Sequence, residues 1–264
     1  MSALSIAAVD SWTLTKRSLT RWRREPMTPV AGILFSFMFM LMFGFLFGGA
    51  MQVPGGGDYL DFVVPGILGM SMMFGLEATM LNVVQDKRAG LADRFRAMPM
   101  SQVAVIGGRA GADVLDSVVN LTALVGCGLL LGWRFGGSAG EFALAMALLL
   151  LLRLSMIWVG IFLGVMIDSP DATALVQILV FPVAFVSSVF APTETMPGWL
   201  APIADWNPLS ATVAAVRELL ASPGVGGAGS WPVEHALLLA AVWPVVITLV
   251  FGTLAARGYQ RRGR

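Results

Sequence analysis

Few side chains in this sequence could perform acid–base, nucleophilic or metal chemistry. The 264 residues include one histidine, His235, and one cysteine, Cys127, which lies inside an apolar run. The sequence has no H-E-x-x-H, no Cys/His cluster and no G-x-S-x-G motif, the usual equipment for metal and acyl-transfer chemistry. A P-loop needs a lysine followed by serine or threonine, whereas Lys16 and Lys87 are each followed by arginine. The sequence therefore predicts no enzyme and no metal site, and any ATP hydrolysis would need another polypeptide.

Two charged residues stand inside apolar runs, Glu77 and Arg153. An arginine near the centre of a span costs about 2.5–3.5 kcal/mol on insertion scales, so it should face protein or water. At about 1.5 Å per residue, Glu77 lies roughly 12 Å from the predicted inner end of its helix and Arg153 roughly 21 Å. A long arginine side chain could bridge much of that difference. A structural link between the two residues, snorkelling and a contact with substrate are all left open.

A surface rich in methionine and phenylalanine accompanies these charges. Methionine-rich surfaces suit promiscuous binding, although simple helix packing is their commoner meaning. Together with Glu77 and Arg153, the candidate substrate path comprises Met72, Met73, Phe74, Phe181, Phe185, Ser187 and Ser188.

Apolar segments long enough to cross a membrane must position these residues. Only 12% of the residues are charged, which is about half the average of soluble proteins. Because lipid offers backbone groups no hydrogen-bond partner, each span should be helical. The sequence predicts an all-α membrane protein with six transmembrane helices in residues 29–256. Their approximate bounds are Pro29–Ala50, Leu60–Val84, Asp113–Trp133, Glu141–Ile167, a fifth span from the Ser169-Pro170 break to Val189, and His235–Ala256.

The distribution of basic residues predicts the orientation. With a cytoplasmic amino terminus, fourteen lysines and arginines fall in the inner segments and only Arg134 and Arg217 fall outside. Such a bias is a strong positive-inside signal. Both termini, including the basic tail at 257–264, are expected in the cytoplasm. The fifteen arginines against two lysines suggest a GC-rich bacterial genome and hence a bacterial plasma membrane.

The amino-terminal arm, residues 1–28, carries an amphipathic pattern. Trp12, Leu19 and Trp22 fall on one helical stripe, with basic residues elsewhere. Such a helix should lie in the membrane interface, tryptophan side down, held partly by anionic lipid. The alternative is an ordinary positively charged flank.

The loop at 85–112 holds a second amphipathic pattern. Residues 92–98 can form a short helix with Phe95 and Met98 on one side and charged residues around it, and Pro99 ends it. Such a helix is suited to docking in a groove of a soluble partner, with Phe95 as the anchor. The physics alone gives equal weight to a solvated loop that only fixes topology.

The outer segment at 190–233 is broken by prolines into short pieces. Trp199 and Trp206 are typical interface anchors. Asn207 can cap a helix that Pro208 starts, and this helix has an apolar side. A re-entrant helical hairpin and an amphipathic surface loop are the two interpretations, of which the hairpin is favoured.

Two of these segments resemble a known family. The pattern Asp86-x-x-x-Gly90-x-x-Asp93-Arg94-Phe95-x-x-x-Pro99-x-Ser101 is similar to the signature loop of type-2 ABC exporter permeases. The stretch from Phe190 to Leu220 resembles the outer segment of that family, where Met-Pro-x-Trp-Leu leads to Asn-Pro and a helix with arginine. The resemblance is strongest to the daunorubicin/doxorubicin-resistance branch. Arg88 is a departure, because the family often has glutamate there.

The resemblance assigns roles to particular residues. It implies that the loop is a coupling helix that touches an ATPase, through Asp86, Gly90, Asp93, Arg94, Phe95, Arg96, Met98 and Pro99. The outer hairpin would be carried by Met196, Pro197, Trp199, Asn207, Pro208 and Arg217.

The implied function is that of a permease subunit of an ATP-driven exporter of an amphipathic drug-like or lipid substrate. Such a chain binds no cofactor itself, since ATP and Mg are bound by two cytoplasmic ATPase subunits. Its other partners would be a second permease, in a homodimer or heterodimer, and membrane lipids; nucleic acid is not expected. The alternative is an ion-coupled secondary transporter of hydrophobic compounds, which should need several carboxylates within its spans.

Overall fold

The computed structural model describes residues 27–46, 48, 53, 56–89, 102–167, 169–223 and 230–261. Within these ranges the chain is helical and contains no strand. The α-helices there are α1 Met27–Leu41, α2 Tyr59–Arg88, α3 Gln102–Leu131, α4 Ala139–Met166, α5 Pro170–Phe185, α6 Ala201–Asp205, α7 Pro208–Leu219, α8 Trp231–Glu234 and α9 Ala236–Arg261. A π-helical turn, Met42–Leu46, extends α1, and a 3₁₀ turn, Thr193–Thr195, precedes α6.

Four of the described helices are long and apolar enough to cross a membrane. These spans are Tyr59–Arg88, Ala110–Leu130, Ala139–Met166 and Ala236–Gly258. Two shorter apolar helices, Val30–Leu46 and Ala172–Phe185, coincide with the predicted first and fifth spans. The all-helical membrane fold is thus confirmed. Of the six predicted spans, four correspond to described helices of span length.

Two helices differ in extent from the predicted spans in ways that affect the site. Helix α3 begins at Gln102 rather than at Asp113, so Asp113 and Asp116 lie about three turns inside it. Helix α5 ends at Phe185 rather than Val189, which leaves Ser187 and Ser188 in an irregular turn. Hydropathy follows the apolar run, whereas the hydrogen-bonded helix can continue through polar residues or stop short of the last apolar ones.

Helices α5 and α7 begin at the prolines where the sequence predicts helix starts. The Asn207 side chain accepts a hydrogen bond from the backbone N–H of Leu209, and Pro208 occupies the first helical position of α7. Ser169 caps α5 in the same way, with Pro170 next to it. These residues satisfy N–H groups that a helix leaves without a partner at its first turn.

The centre of the fold is the packing of α4 against α2 and α9. Gly160 and Gly164 stand one helical turn apart on α4 and face α2. A methyl group on Gly160 would lie 2.7 Å from the carbonyl oxygen of Leu76, and one on Gly164 would lie 2.6 Å from Val83. This small-xxx-small spacing lets two membrane helices approach closely, since lipid provides no hydrophobic drive for their association.

The bundle has two distinct ends. At the first, which we call the hairpin end, α7 packs against α2, α6 packs against α7, and the backbone N–H of Gly136 donates to the Leu220 carbonyl at 3.0 Å. At the opposite end, which we call the loop end, α2 and α4 finish together. The helices α2 and α4 are therefore parallel, and α3 runs opposite to both.

Candidate functional site

A buried arginine joins three helices near the middle of the bundle. Arg153 on α4 is 3% exposed. Its Nε donates to the Ser117 hydroxyl of α3 at 2.8 Å, and its Nη2 donates to the Thr79 hydroxyl of α2 at 3.0 Å. The Thr79 hydroxyl in turn donates to a carboxylate oxygen of Asp113 at 2.7 Å. We call Arg153, Thr79, Asp113, Asp116 and Ser117 the arginine network.

Two carboxylates supply the opposite charge of this network. Asp113 and Asp116 both interact electrostatically with the Arg153 guanidinium. The close approach of the guanidinium to α2 depends on Gly75, because a methyl group there would lie 2.5–2.8 Å from guanidinium atoms. Charges in a membrane-spanning bundle are expected to pair with one another and face the interior. The arginine network faces the interior, and the Thr79 hydroxyl links the Arg153 guanidinium to the Asp113 carboxylate.

Within this chain, Glu77 and Arg153 make no hydrogen bond to each other. The hydrogen bonds of Arg153 go to α3 and to Thr79, while Glu77 Oε1 is buried without a hydrogen-bond partner. The reason is rotational. Gly75 and Thr79, four residues apart, form the side of α2 that faces Arg153, and Glu77 lies about 200° around the helix from each.

Sequence reasoning missed the acidic side of the network. Asp113, Asp116 and Ser117 recur at intervals of three and four residues, which places them on one face of a helix. That polar face was a usable signal. The apolar run places Asp113 at the end of the predicted span, where an acidic residue is unremarkable.

Seven phenylalanines form a continuous aromatic surface between α1, α2, α5 and the turn after α5. Neighbouring ring centroids lie between 4.1 and 6.3 Å apart around a closed circuit. We call this circuit the phenylalanine belt; its members in order are Phe35, Phe39, Phe43, Phe190, Phe185, Phe181 and Phe74. Offset and edge contacts at such distances are favourable aromatic geometries.

Four of the residues predicted for the substrate path lie in the belt or beside it. Phe74, Phe181 and Phe185 are members, and Glu77 stands one turn from Phe74 on the same side of α2. The rings of Phe35, Phe181 and Phe185 are 44%, 38% and 43% exposed, so the belt presents an open aromatic face.

The other residues predicted for this path lie elsewhere. Met72 and Met73 are buried in the packed core. Ser187 and Ser188 lie beyond the end of α5, where the Ser187 hydroxyl donates to the Ala184 carbonyl and the Ser188 N–H donates to the Ser210 hydroxyl at 3.0 Å. Arg153 belongs to the arginine network. The structure thus divides the predicted set among four places: the belt and its edge, the packed core, the turn after α5 and the arginine network.

The hairpin end is held by two side chains that bind backbone carbonyls. The Asn207 amide donates to the carbonyls of Val183 and Val186, at 2.9 and 2.7 Å. Arg217, 3% exposed, donates to the carbonyls of Phe62, Ser188 and Val189 at 2.7–2.9 Å. Helix α5 ends within the packed structure, so its last carbonyls need such donors.

The remaining members of the predicted outer set are more exposed. Trp199 is 73% exposed and Pro197 is also exposed, whereas Met196 is half-buried. Trp206 stacks on Trp231 at 5.9 Å.

At the loop end, a lysine ties α2 to α4. Lys87 Nζ donates to the carbonyls of Gly164 and Val165, at 3.2 and 3.4 Å, and to that of Ile167. A lysine at a helix carboxyl end satisfies free carbonyls and complements the helix dipole. Asp86 is half-buried in the same turn.

Most residues predicted for ATPase coupling lie outside the described ranges, and so does the predicted interfacial helix. They are Gly90, Asp93, Arg94, Phe95, Arg96, Met98 and Pro99, and Trp12, Leu19 and Trp22. Among the side chains that are described, no group of three or more ligating residues could hold a metal ion.

Comparison with known proteins identifies the family. The family model described as ABC-2 type transporter matches residues 10–221. The chain belongs to the ABC-2 type transporter family. The resemblance noted in the sequence is thereby confirmed, and the chain is a multi-pass membrane subunit of an ABC exporter.

Three relatives place this permease more closely. It is 34% identical, over 97% of its length and 88% of the relative, to a daunorubicin resistance ABC transporter permease (DrrB1) of Streptomyces coeruleorubidus. It is 25% identical to a probable doxorubicin resistance ABC transporter permease (DrrC) of Mycobacterium tuberculosis, over 94% of this chain and 87% of that one. A putative transport permease (ycf38) of Cyanophora paradoxa is 26% identical over 80% of this chain and 73% of the relative. The ABC-2 permease therefore has relatives connected with drug resistance.

Proposed function

We propose that this permease forms half of the membrane unit of an ATP-driven exporter that moves an amphipathic, drug-like or lipid compound out of a bacterial cell. The observation that carries the substrate class is the open phenylalanine belt, an aromatic surface within the apolar helices and next to a carboxylate. The permeases most like it among the relatives above are named for resistance to daunorubicin and doxorubicin.

The proposed arrangement in the membrane has six spans and two cytoplasmic termini. Helices α2, α3, α4 and α9 are of span length. Val30–Leu46 would span about 25 Å at 1.5 Å per residue, and Ala172–Phe185 about 21 Å, both somewhat shorter than the hydrocarbon thickness of about 30 Å. The amino-terminal arm then lies in the cytoplasmic interface through Trp12, Leu19 and Trp22.

In this arrangement α6 and α7 form the outer re-entrant hairpin. Leu209 and Val213 of α7 pack against Gly69, ten residues into α2. At 1.5 Å per residue this contact lies about 15 Å below the start of α2. Such a depth supports a helix that dips among the spans and returns, rather than a surface loop.

The energy source is a separate ATPase. Residues 85–101 would dock on it, with Phe95 as the apolar anchor and Asp86, Asp93, Arg94 and Arg96 at the rim. ATP and Mg are bound by two such subunits and no cofactor is bound by the permease. Closure of the ATPase pair would move the loop end and shift the permease between inward- and outward-open states, as a two-state element biased by nucleotide.

The arginine network would make this movement a rigid one. The loop that contacts the ATPase connects α2 to α3, and the network joins both helices to α4 through buried hydrogen bonds. Packed cores change between discrete arrangements rather than deforming continuously. A push on the loop would therefore carry α2, α3 and α4 together.

A second permease completes the membrane unit. The described faces of α1 and α5 leave large apolar side chains exposed, including Leu34, Met38, Ile178 and Leu179 at 54–66%. A homodimer or a pair of different permeases would cover such faces next to the belt.

An ion-coupled secondary transporter is less well supported. Asp113 and Asp116 add carboxylates within a helix, but both interact with Arg153. A carboxylate held close to a fixed arginine is poorly suited to bind and release a coupling ion. Glu77 has no charged partner among the described residues.

Co-expression tests the proposal. Doxorubicin accumulation is measured in susceptible bacteria that express the permease, an ABC ATPase encoded beside it, or both. The expected result is lower accumulation only when both are present, lost when the P-loop lysine of the ATPase is replaced by alanine. Lower accumulation with the permease alone would contradict the proposal.

A further inference from the structure

Glu77 is a carboxylate without a partner in an apolar helix. Its Oε1 is buried and makes no hydrogen bond, and no charged side chain in the described part of the chain offsets the burial. The two buried arginines, by contrast, have visible roles: Arg153 joins three helices and Arg217 binds carbonyls of the irregular turn. An unpaired ionisable residue within a membrane helix is a functional-site candidate by default.

The surroundings of Glu77 indicate what it could bind. Phe74, one turn away on the same side of α2, contacts Phe35 at 6.3 Å and Phe181 at 4.9 Å between ring centroids. The carboxylate therefore stands at the edge of the phenylalanine belt, beside its open face. Aromatic faces attract cations through the ring quadrupole, and a carboxylate attracts them by charge.

We propose that Glu77 and the phenylalanine belt form a binding site selective for cationic amphiphiles, with the belt holding the aromatic or apolar body and Glu77 the positive group. This inference rests on the proposed export function and names its substrate class. An anion of the same shape would meet the negative charge and the negative ring faces together, so the site discriminates by charge rather than by size.

The arginine network does not cancel this selectivity. Arg153 of α4 lies against the side of α2 that is opposite to Glu77, and it is already hydrogen-bonded to Ser117 and Thr79. The Thr79 hydroxyl links its guanidinium to the carboxylate of Asp113. The two charged sites on α2 thus have separate tasks, one structural and one for recognition.

Two ions of matched shape test the proposal on the purified permease. Tetraphenylphosphonium and tetraphenylborate have nearly the same size and four aromatic rings but opposite charge. Nile red, a neutral planar dye whose fluorescence increases in apolar sites, reports occupancy. We expect tetraphenylphosphonium to displace Nile red at concentrations at least 10-fold lower than tetraphenylborate does.

The variant Glu77→Gln removes the charge and keeps the shape. Its affinity for tetraphenylphosphonium should fall at least 10-fold, while its affinity for Nile red changes less than 2-fold. Glu77→Asp should retain most of the preference. The matched control is Glu194→Gln, at an exposed glutamate in the outer 3₁₀ turn, which should leave both affinities unchanged.

Three results would overturn the proposal. They are equal displacement by the two ions in the wild type, loss of Nile red and tetraphenylphosphonium binding together in Glu77→Gln, and no binding of either probe by the wild type. If Glu77→Gln does not fold, the comparison of the two ions on the wild type decides. Charge-selective binding without ATP-driven export would contradict the export function and leave the binding site intact.

Discussion

Replacing Arg153 by methionine tests the arginine network. The substitution keeps much of the side-chain volume but removes two hydrogen bonds, to Ser117 at 2.8 Å and to Thr79 at 3.0 Å. It also removes the cation that attracts the carboxylates of Asp113 and Asp116. We therefore expect the variant to unfold more easily than the wild type.

The magnitude depends on whether charge or hydrogen bonding dominates. Hydrogen bonds between membrane helices average about 0.6 kcal/mol, so two of them would account for about 1 kcal/mol. Removing one partner of a buried charge pair costs about 3–5 kcal/mol. Because the carboxylates are left behind, we expect a loss of about 3–5 kcal/mol in the free energy of unfolding.

Reversible unfolding in mixed detergent micelles measures this loss, and double-mutant cycles identify the partner. Arg153→Met and Asp113→Asn should show an interaction energy of about 1–3 kcal/mol, as expected for residues in one network. Arg153→Met and Glu77→Gln should be additive within about 0.5 kcal/mol, which makes Glu77 the matched control. A loss below about 1 kcal/mol, or coupling to Glu77 in place of Asp113, would refute the reasoning.

Three further predictions concern topology, coupling and the loop end. For topology, single cysteines are introduced at Gly198 and at Ala89 in a chain with Cys127 replaced by alanine; an added Cβ at Gly198 meets no atom within 4 Å. The cysteine at Gly198 should react with an impermeant thiol reagent outside intact cells, and the one at Ala89 should not. The reverse pattern would overturn the orientation. Phe95→Ala should weaken binding of the ATPase about 30-fold in a titration, because an interface anchor contributes about 2 kcal/mol or more, and unchanged affinity would remove the coupling-helix assignment. Lys87→Met should lower the free energy of unfolding by about 1–2 kcal/mol, since it removes a cation from the carbonyls that end α4. Lys87→Arg should retain most of the wild-type stability. Equal losses in both variants would show that the carbonyl contacts are not the cause.

Much of the fold was accessible from the sequence because membrane helices carry strong local signals. Each predicted span coincides with an apolar helix, and the starts at Pro170 and Pro208 follow from cap chemistry that involves only neighbouring residues. The end of α5 was not accessible in this way. It stops at Phe185 because Asn207 and Arg217, distant in sequence, bind the carbonyls that a longer helix would have used internally.

The site was predictable only in part, for two reasons. Counting residues gives the depth of Glu77 and Arg153 but not the side of α2 on which each lies. In the structure they lie on different sides of α2, so they do not contact each other within this chain. The phenylalanine belt brings together four segments separated by up to about 150 residues, so its sequence signal is only an abundance of phenylalanine. Three of its seven members, Phe74, Phe181 and Phe185, were nonetheless predicted for the substrate path, and a fourth, Phe190, begins the predicted outer segment.

The most direct test of the export account is the energy source in a defined system. The permease and its ATPase are reconstituted together in liposomes, and uptake of doxorubicin into the lumen by inward-facing transporters is followed by fluorescence quenching. The account predicts uptake with ATP and Mg in the absence of any ion gradient, and none with a proton or sodium gradient alone. Uptake driven by an ion gradient in liposomes that contain only the permease would contradict it.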